Sequence, residues 1–148
     1  MNTVQESGLD TRPNEQYAYF SVVGDFDPVE ISRMIGLQPT KCWKKGDTNT
    51  ATHRERTASR WSLQSRMPHT ESLEAHINDV LAQLSTHPGG VKEASQRFCG
   101  IMQLVGHFYR YYPGLSLDSN TIQGLAQFGL SLDCDFYYLY SASRENSE

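Results

Sequence analysis

Apolar residues along this chain alternate, then recur at helical spacing, then alternate again, and the switches mark its elements. Residues 17–23, YAYFSVV, are aromatic and β-branched and predict a strand. Residues 24–37, GDFDPVEISRMIGL, predict a short helix with clear punctuation. Asp27 suits the cap, Pro28 the first helical position, and Glu30 completes an Asp-x-x-Glu capping pattern. Ile31, Met34 and Ile35 share one face, Gly36 supplies the stop, and Leu37 is placed to pack back over it.

Residues 41–45 predict a short strand. Residues 46–57 are rich in Thr, Asn and charge and predict a mobile loop, which at about a dozen residues is expected to be functional or disordered. Residues 58–66 then alternate sharply, with Trp61, Leu63 and Ser65 on one side and Arg60, Ser62, Gln64 and Arg66 on the other. Thr70 is the expected cap of a longer helix whose apolar stripe is Leu73, Ile77, Val80, Leu81 and Leu84. Pro88-Gly89-Gly90 is expected to break that helix, with a short one over 91–98 and a strand over 100–110. A further helix is expected from Ser119 or Asn120, burying Ile122, Leu125 and Phe128 and stopping at Gly129. Residues 130–140 read as the last strand, with Leu130, Leu132, Cys134, Phe136, Tyr138 and Tyr140 on one face and Ser131, Asp133 and Asp135 on the other.

The order β-α-β-β-α-(α)-β-α-β predicts an α+β domain: a mostly antiparallel sheet of about five strands with helices on one face. Its first six elements match a ferredoxin-like β-α-β-β-α-β core, to which an α-β unit is added. A faint internal echo pairs Asp27 with Asn120 and Ile35-Gly36-Leu37 with Phe128-Gly129-Leu130, as two related β-α-β units would. At 148 residues the chain supports one domain, expected over 17–140, with 1–16 and 141–148 as flexible tails.

Charge changes the picture more than composition does. Residues 41–66, KCWKKGDTNTATHRERTASRWSLQSR, hold seven of the thirteen basic residues and only two of the seventeen acids. The segment is therefore +5 and the remainder −9. A local positive potential inside an acidic protein survives over about a Debye length, ~8–10 Å, and marks where something anionic can dock. The net charge of −4 argues against wholesale nucleic-acid binding. Cys42, Cys99 and Cys134 are odd in number and form no CxxC pair, so buried, inert thiols in a reducing compartment are expected. The polar first sixteen residues lack the apolar run of a signal peptide, and no stretch reaches membrane-spanning length, so the expectation is a soluble cytoplasmic protein.

The candidate binding residues are Trp43, Lys44, Lys45, Asp47, Arg54, Arg56 and Arg60. Arginine forks match phosphate or carboxylate bidentately, glycine lets backbone N–H groups approach, and tryptophan is enriched in binding hot spots. The competing reading takes Gly46-Asp47 as turn chemistry and the arginines as solvated surface. Trp61, on the apolar side of its strand, is expected in the core. Asp133 and Asp135 have a spacing that can serve a metal or acid–base chemistry, yet local spacing ties no third carboxylate or histidine to them. The chain carries no GxxxxGK[ST], HExxH or GxSxG pattern, so neither a metal nor a cofactor is expected and the enzyme reading is weak. RNA binding enters because β-α-β-β-α-β is also the RNA-recognition-motif order, with Tyr17 and Tyr19 where bases could stack. Against it, ASRWSLQSR lacks that motif's aromatic signature and the −9 remainder repels phosphate.

The aromatic first strand, the GDFDPVEISRMIGLQPT helix, the WKKGD turn, and the RWSLQS and GLSLDCDFY strands together resemble the bacterial domain-of-unknown-function 4279 family. The resemblance implies a small α+β domain with no established catalytic residues, and it implies candidate immunity proteins of toxin systems among the members. Its matched positions here are Lys45-Gly46-Asp47, Trp61 and Asp135. The expected function is thus a non-enzymatic binding protein whose partner is a protein, with a toxin in an immunity pairing as the specific form that the resemblance implies. The alternative is a regulatory domain for a small anionic ligand such as a nucleotide.

Overall fold

In the computed structural model, which describes residues 11–140, the chain forms nine elements. They are β1 (Glu15–Gly24), α1 (Pro28–Ile35), β2 (Lys41–Trp43), β3 (Ser59–Gln64), α2 (Leu73–Leu84), α3 (Pro88–Phe98), β4 (Ile101–Phe108), α4 (Ser119–Gln127) and β5 (Ser131–Tyr138). The strands build one sheet in the order β2-β3-β1-β4-β5. Every neighbouring pair is antiparallel except β4 and β5, which run parallel. β3 is inserted between β1 and β2, and β1 between β3 and β4, which is the interleaving of two split β-α-β units that defines a ferredoxin-like sheet. β5 adds the α-β unit at the β4 edge.

Local chemistry sets most of the helix ends. The Asp27 carboxylate accepts the Val29 N–H at 3.0 Å, and Gly36 closes α1 at φ 79° with its N–H on the Ser32 carbonyl. α2 is capped by Ser72, which accepts from Ala75, rather than by Thr70, because Leu73 already belongs to the buried stripe. α3 begins at Pro88, so Pro88-Gly89-Gly90 forms its first turn instead of a break. Proline sacrifices no hydrogen bond there, and Gly90 is needed because a Cβ would lie 1.7 Å from the Met34 carbonyl oxygen on α1. α4 is capped by Asp118, whose carboxylate accepts from Thr121. That phase buries Thr121 and Leu125 and turns Ile122 outward, 53% exposed, contrary to the sequence expectation. The two β-α-β stretches that echo each other also differ in layout, since β5 adjoins β4 while β2 is separated from β1 by β3.

The core lies between the sheet and the helices. Ala18, Phe20, Val22, Trp61, Leu63, Met102 and Leu104 face the helices, and Ile31, Ile35, Ile77, Val80, Leu84 and Val91 meet them. Full burial of each such side chain contributes about 1.5–3 kcal/mol. Trp61 is fully buried, packs its ring edge-on with Phe20 at 6.0 Å and donates its Nε1–H to Ser32 Oγ at 3.0 Å. The same alternation leaves Tyr17, Tyr19, Arg60 and Gln64 on the opposite face, which no helix of the described residues covers.

Several expectations change at the edges. All three cysteines are exposed, because Cys42 and Cys134 sit on the edge strands and Cys99 ends α3 at φ 53°. On β5 only Phe136 packs against the core, since the apolar face of an edge strand extends past the helices. β1 starts at Glu15, so Glu15 and Gln16 belong to the sheet rather than to a tail. Just before it Asn14 Oδ1 accepts from the Tyr109 and Arg110 N–H groups, and residues 1–10 and 141–148 of the expected tails lie outside the described residues. Among the described residues no helix is long and apolar enough to cross a membrane.

Candidate functional site

Residues 46–57, expected as an irregular mobile loop, form a hydrogen-bonded hairpin. Gly46 N–H donates to the Arg56 carbonyl at 2.9 Å, Arg56 N–H to Asp47 at 2.7 Å, and Asn49 N–H to Arg54 at 2.8 Å. Thr48 and Glu55 make a β-bridge between them. The segment has no apolar anchor, but its Asx and Thr side chains satisfy the backbone of the tip: Asn49 Oδ1 accepts from Ala51 and Thr52 Oγ1 from Arg54. Its base is equally tied down. Asp47 Oδ2 accepts the Lys44 N–H, and Ser59 Oγ accepts from Lys45 while donating to the Phe26 carbonyl.

The hairpin folds back over β2. Register pairs Trp43 with Arg60 and Lys41 with Ser62, so Lys41, Trp43 and Arg60 all stand on the open face. The Arg56 guanidinium lies 3.6 Å above the Trp43 ring, while Lys41 and Arg60 flank it at 5.5 and 5.6 Å. Trp43 itself is held by its Nε1–H on the Ala58 carbonyl at 3.1 Å, and Arg60 reaches Ser21 Oγ at 3.4 Å. Each cation over an exposed ring gains about 0.5–1 kcal/mol, but three cations around one indole also repel one another. Among the described residues no carboxylate comes within ion-pairing distance of Lys41, Arg56 or Arg60. Within the described residues the cluster is an unneutralised cationic centre with an aromatic floor.

Beside it lies a shallow depression of about 280 Å³ lined by Tyr17, Tyr19, Lys41, Trp43, Arg60 and Gln64. A second hollow, about 210 Å³, opens on the far side of Trp43 and Arg60 toward Arg56 and Val23. Tyr17 stacks on Tyr19 at 6.4 Å and on His69 at 5.2 Å, extending the aromatic surface along β1. Burial pushes the Tyr17 phenol above its ordinary value, with Tyr19, Tyr137 and Asp135 adding to the shift, so it stays a neutral hydrogen-bonding group.

The other end of the face is acidic. Asp133 and Asp135 stand exposed on β5, with Asp135 accepting from Gln103 Nε2 at 3.4 Å, and His107 stacks on Tyr137 at 5.0 Å. Among the described residues no three His, Cys, Asp or Glu side chains gather as metal ligands would. Ser65 and His76 form a close pair at 2.5 Å. His76, however, is fully buried beside the Pro68 backbone carbonyl, and among the described residues no carboxylate hydrogen-bonds its ring as the orienting partner of a general base would.

Of the residues singled out from sequence, the structure brings Trp43, Arg56 and Arg60 together. It separates the others. Lys45 pairs with Asp25 at 3.5 Å, Asp47 closes the Lys44 turn, and Arg54 sits at the hairpin tip. Lys41 and Gln64 complete the site and were missed. Alternation could have placed Lys41 with Trp43 and Gln64 with Arg60, but which strands adjoin was invisible in it.

A family model described as Domain of unknown function (DUF4279) matches residues 14–139. No curated protein and no solved structure matches the chain.

Proposed function

The chain belongs to the DUF4279 family, and from the geometry of its open sheet face we propose that it is a non-enzymatic binding domain that docks an acidic protein surface at Trp43. The observation that carries this reading is the Trp43 ring under Arg56 and between Lys41 and Arg60, with no carboxylate of the described residues to neutralise them. Tryptophan, arginine and tyrosine are the residue types that dominate binding hot spots, and here they are contiguous. The hollow is shallow and open rather than enclosing, which favours an extended partner over a small molecule buried on most sides. A toxin partner, as in an immunity pairing, is the specific form of this reading, and the family resemblance alone supports it.

A small anionic ligand such as a nucleotide is the second reading. What favours it is a planar ring surface at Trp43 and Tyr19 beside two guanidinium groups that suit phosphate. RNA is less well suited, because Asp133 and Asp135 on the same face oppose a phosphate backbone.

The experiment is capture from extracts of the source cell, comparing the wild type with a Lys41→Glu, Arg56→Glu, Arg60→Glu variant. A Lys44→Glu, Arg54→Glu variant serves as control, since those residues lie outside the cluster. Loss of the partner in the first variant alone is expected. Equal recovery in all three would overturn the reading, and a thermal shift on nucleotides abolished by the first variant would favour the small ligand. A ligand at 100 times its dissociation constant stabilises by about 2.7 kcal/mol.

A further inference from the structure

We propose that the open face is self-complementary, so that two copies of this chain close over it face to face, the cationic end of one on the acidic end of the other. The inference stands on the charge layout of the face and does not depend on the partner reading above.

Three cations, Lys41, Arg56 and Arg60, occupy the β2–β3 end, and three carboxylates, Glu15, Asp133 and Asp135, lie on β1 and β5. The face is therefore neutral in sum and polar in layout. β2 and β5 are the two edges, four strand spacings apart, which is about 19 Å at ~4.8 Å per spacing. That exceeds a Debye length of ~8 Å, so the two ends do little to neutralise each other within one copy. The register also offsets them along the strands. Arg60 is in line with Val23, whereas Asp133 and Asp135 are in line with Gln103 and Val105, level with Tyr19 and Tyr17.

A two-fold axis lying between two facing sheets and running obliquely across the central strand β1 relates these ends, because they differ in position both across and along the strands. It sets Arg56 and Arg60 of one copy over Asp133 and Asp135 of the other, and the same contact recurs in reverse, as an isologous interface requires. Near the axis Tyr19 meets its own counterpart at the ~10 Å separation of stacked sheets. A second copy satisfies both ends of the face at once. An acidic partner engages only the β2–β3 end, because Asp133 and Asp135 repel it from the other. The two therefore compete for the same three cations.

The facing area is modest. β1, β4 and β5 run eight to ten residues but β3 six and β2 three, so the face covers at most roughly 19 × 27 Å, or on the order of 500 Å² per copy, against ~800 Å² per partner in a standard interface. The dimer is accordingly weak, concentration-dependent and sensitive to salt.

Sedimentation velocity on the purified chain tests this. A dimer that grows with concentration and dissociates with added sodium chloride is expected. Arg56→Glu with Arg60→Glu, and separately Asp133→Lys with Asp135→Lys, should each weaken it by roughly tenfold or more. Mixing the two variants should restore association, because every junction then pairs opposite charges. A chain that stays monomeric at all concentrations and salts overturns the proposal. So does a dimer that both variants leave intact, or a pair of weakened variants that fail to associate with each other while retaining native circular dichroism.

Discussion

Arg56 holds its guanidinium carbon 3.6 Å from the Trp43 ring centroid, from the far strand of a hairpin whose near strand begins just beyond that tryptophan. The contact exists because the hairpin pairs its backbone up to the tip, which returns Arg56 above β2. Two consequences can be measured. Trp43 and Trp61 are the two tryptophans of the chain, and Trp61 is buried, so with Trp61→Phe the emission reports Trp43 alone. Arg56→Ala should shift that emission to the red while lowering stability by only about 0.5–1 kcal/mol. The Asn49 and Arg56 amides, both bonded within the hairpin, should be protected from hydrogen exchange in the isolated chain. Fast exchange at both would contradict the hairpin.

Adjacent glycines at the start of α3 should respond oppositely to the same change. A Cβ at Gly90 would lie 1.7 Å from a backbone carbonyl oxygen on α1, and backbone cannot swing aside as a side chain does. Gly90→Ala should therefore cost about 2–4 kcal/mol as the two helices part. At Gly89 an added Cβ meets nothing within 4 Å. Gly89→Ala should be neutral or stabilising by up to about 1 kcal/mol, since alanine is the better helix former. Thermal melts read the contrast directly, at roughly 2–4 °C per kcal/mol for a chain of this size.

Stability should fall with acidification through the histidine range. Burial holds His76 below its ordinary value and His69 adds to that shift, while the Pro68 backbone carbonyl, Asp79 and Glu71 oppose it. The unfolded chain takes up a proton near pH 6.5 that the folded chain refuses. Its stability is therefore full above that value, declines as pH drops below it, and levels off once the folded imidazole titrates. Urea midpoints should fall more between about pH 8 and pH 5.5 in the wild type than in His76→Gln, whatever the variant's stability at the higher pH. Parallel slopes would remove His76 from the account.

A second window opens at lower pH. Burial alone would raise Asp79, but its hydrogen bonds and charge pairing with Arg66, helped by Gln83, hold the carboxyl below the ordinary carboxylate value. The stabilisation is present above the unfolded value and is lost as pH falls through the folded one. Asp79→Asn should thus narrow its deficit against the wild type below about pH 4, and a deficit constant with pH would argue for packing instead of charge.

What the sequence by itself determined is what lies within a turn or along one strand. The Asp27 cap, the Gly36 stop, the α2 stripe and the burial of Trp61 all follow from spacing over a few residues, and the structure repeats them. The α+β class and the ferredoxin-like interleaving follow from the order of those elements. The hairpin escaped because its backbone is satisfied by Asx and Thr side chains and by cross-strand pairing, which leave no apolar pattern to read. The cysteines were misjudged for a related reason: an apolar neighbourhood in sequence says nothing about whether its strand lies at the middle or the edge of a sheet. Tertiary structure alone decided which strands adjoin and in what register. A period of two tells which residues of a strand share a face, but only non-local pairing carries Lys41 to Arg60 and sets Asp133 and Asp135 at the opposite edge. The site is a property of that pairing, because its cations come from β2, the hairpin and β3 and meet only when β2 and β3 lie side by side.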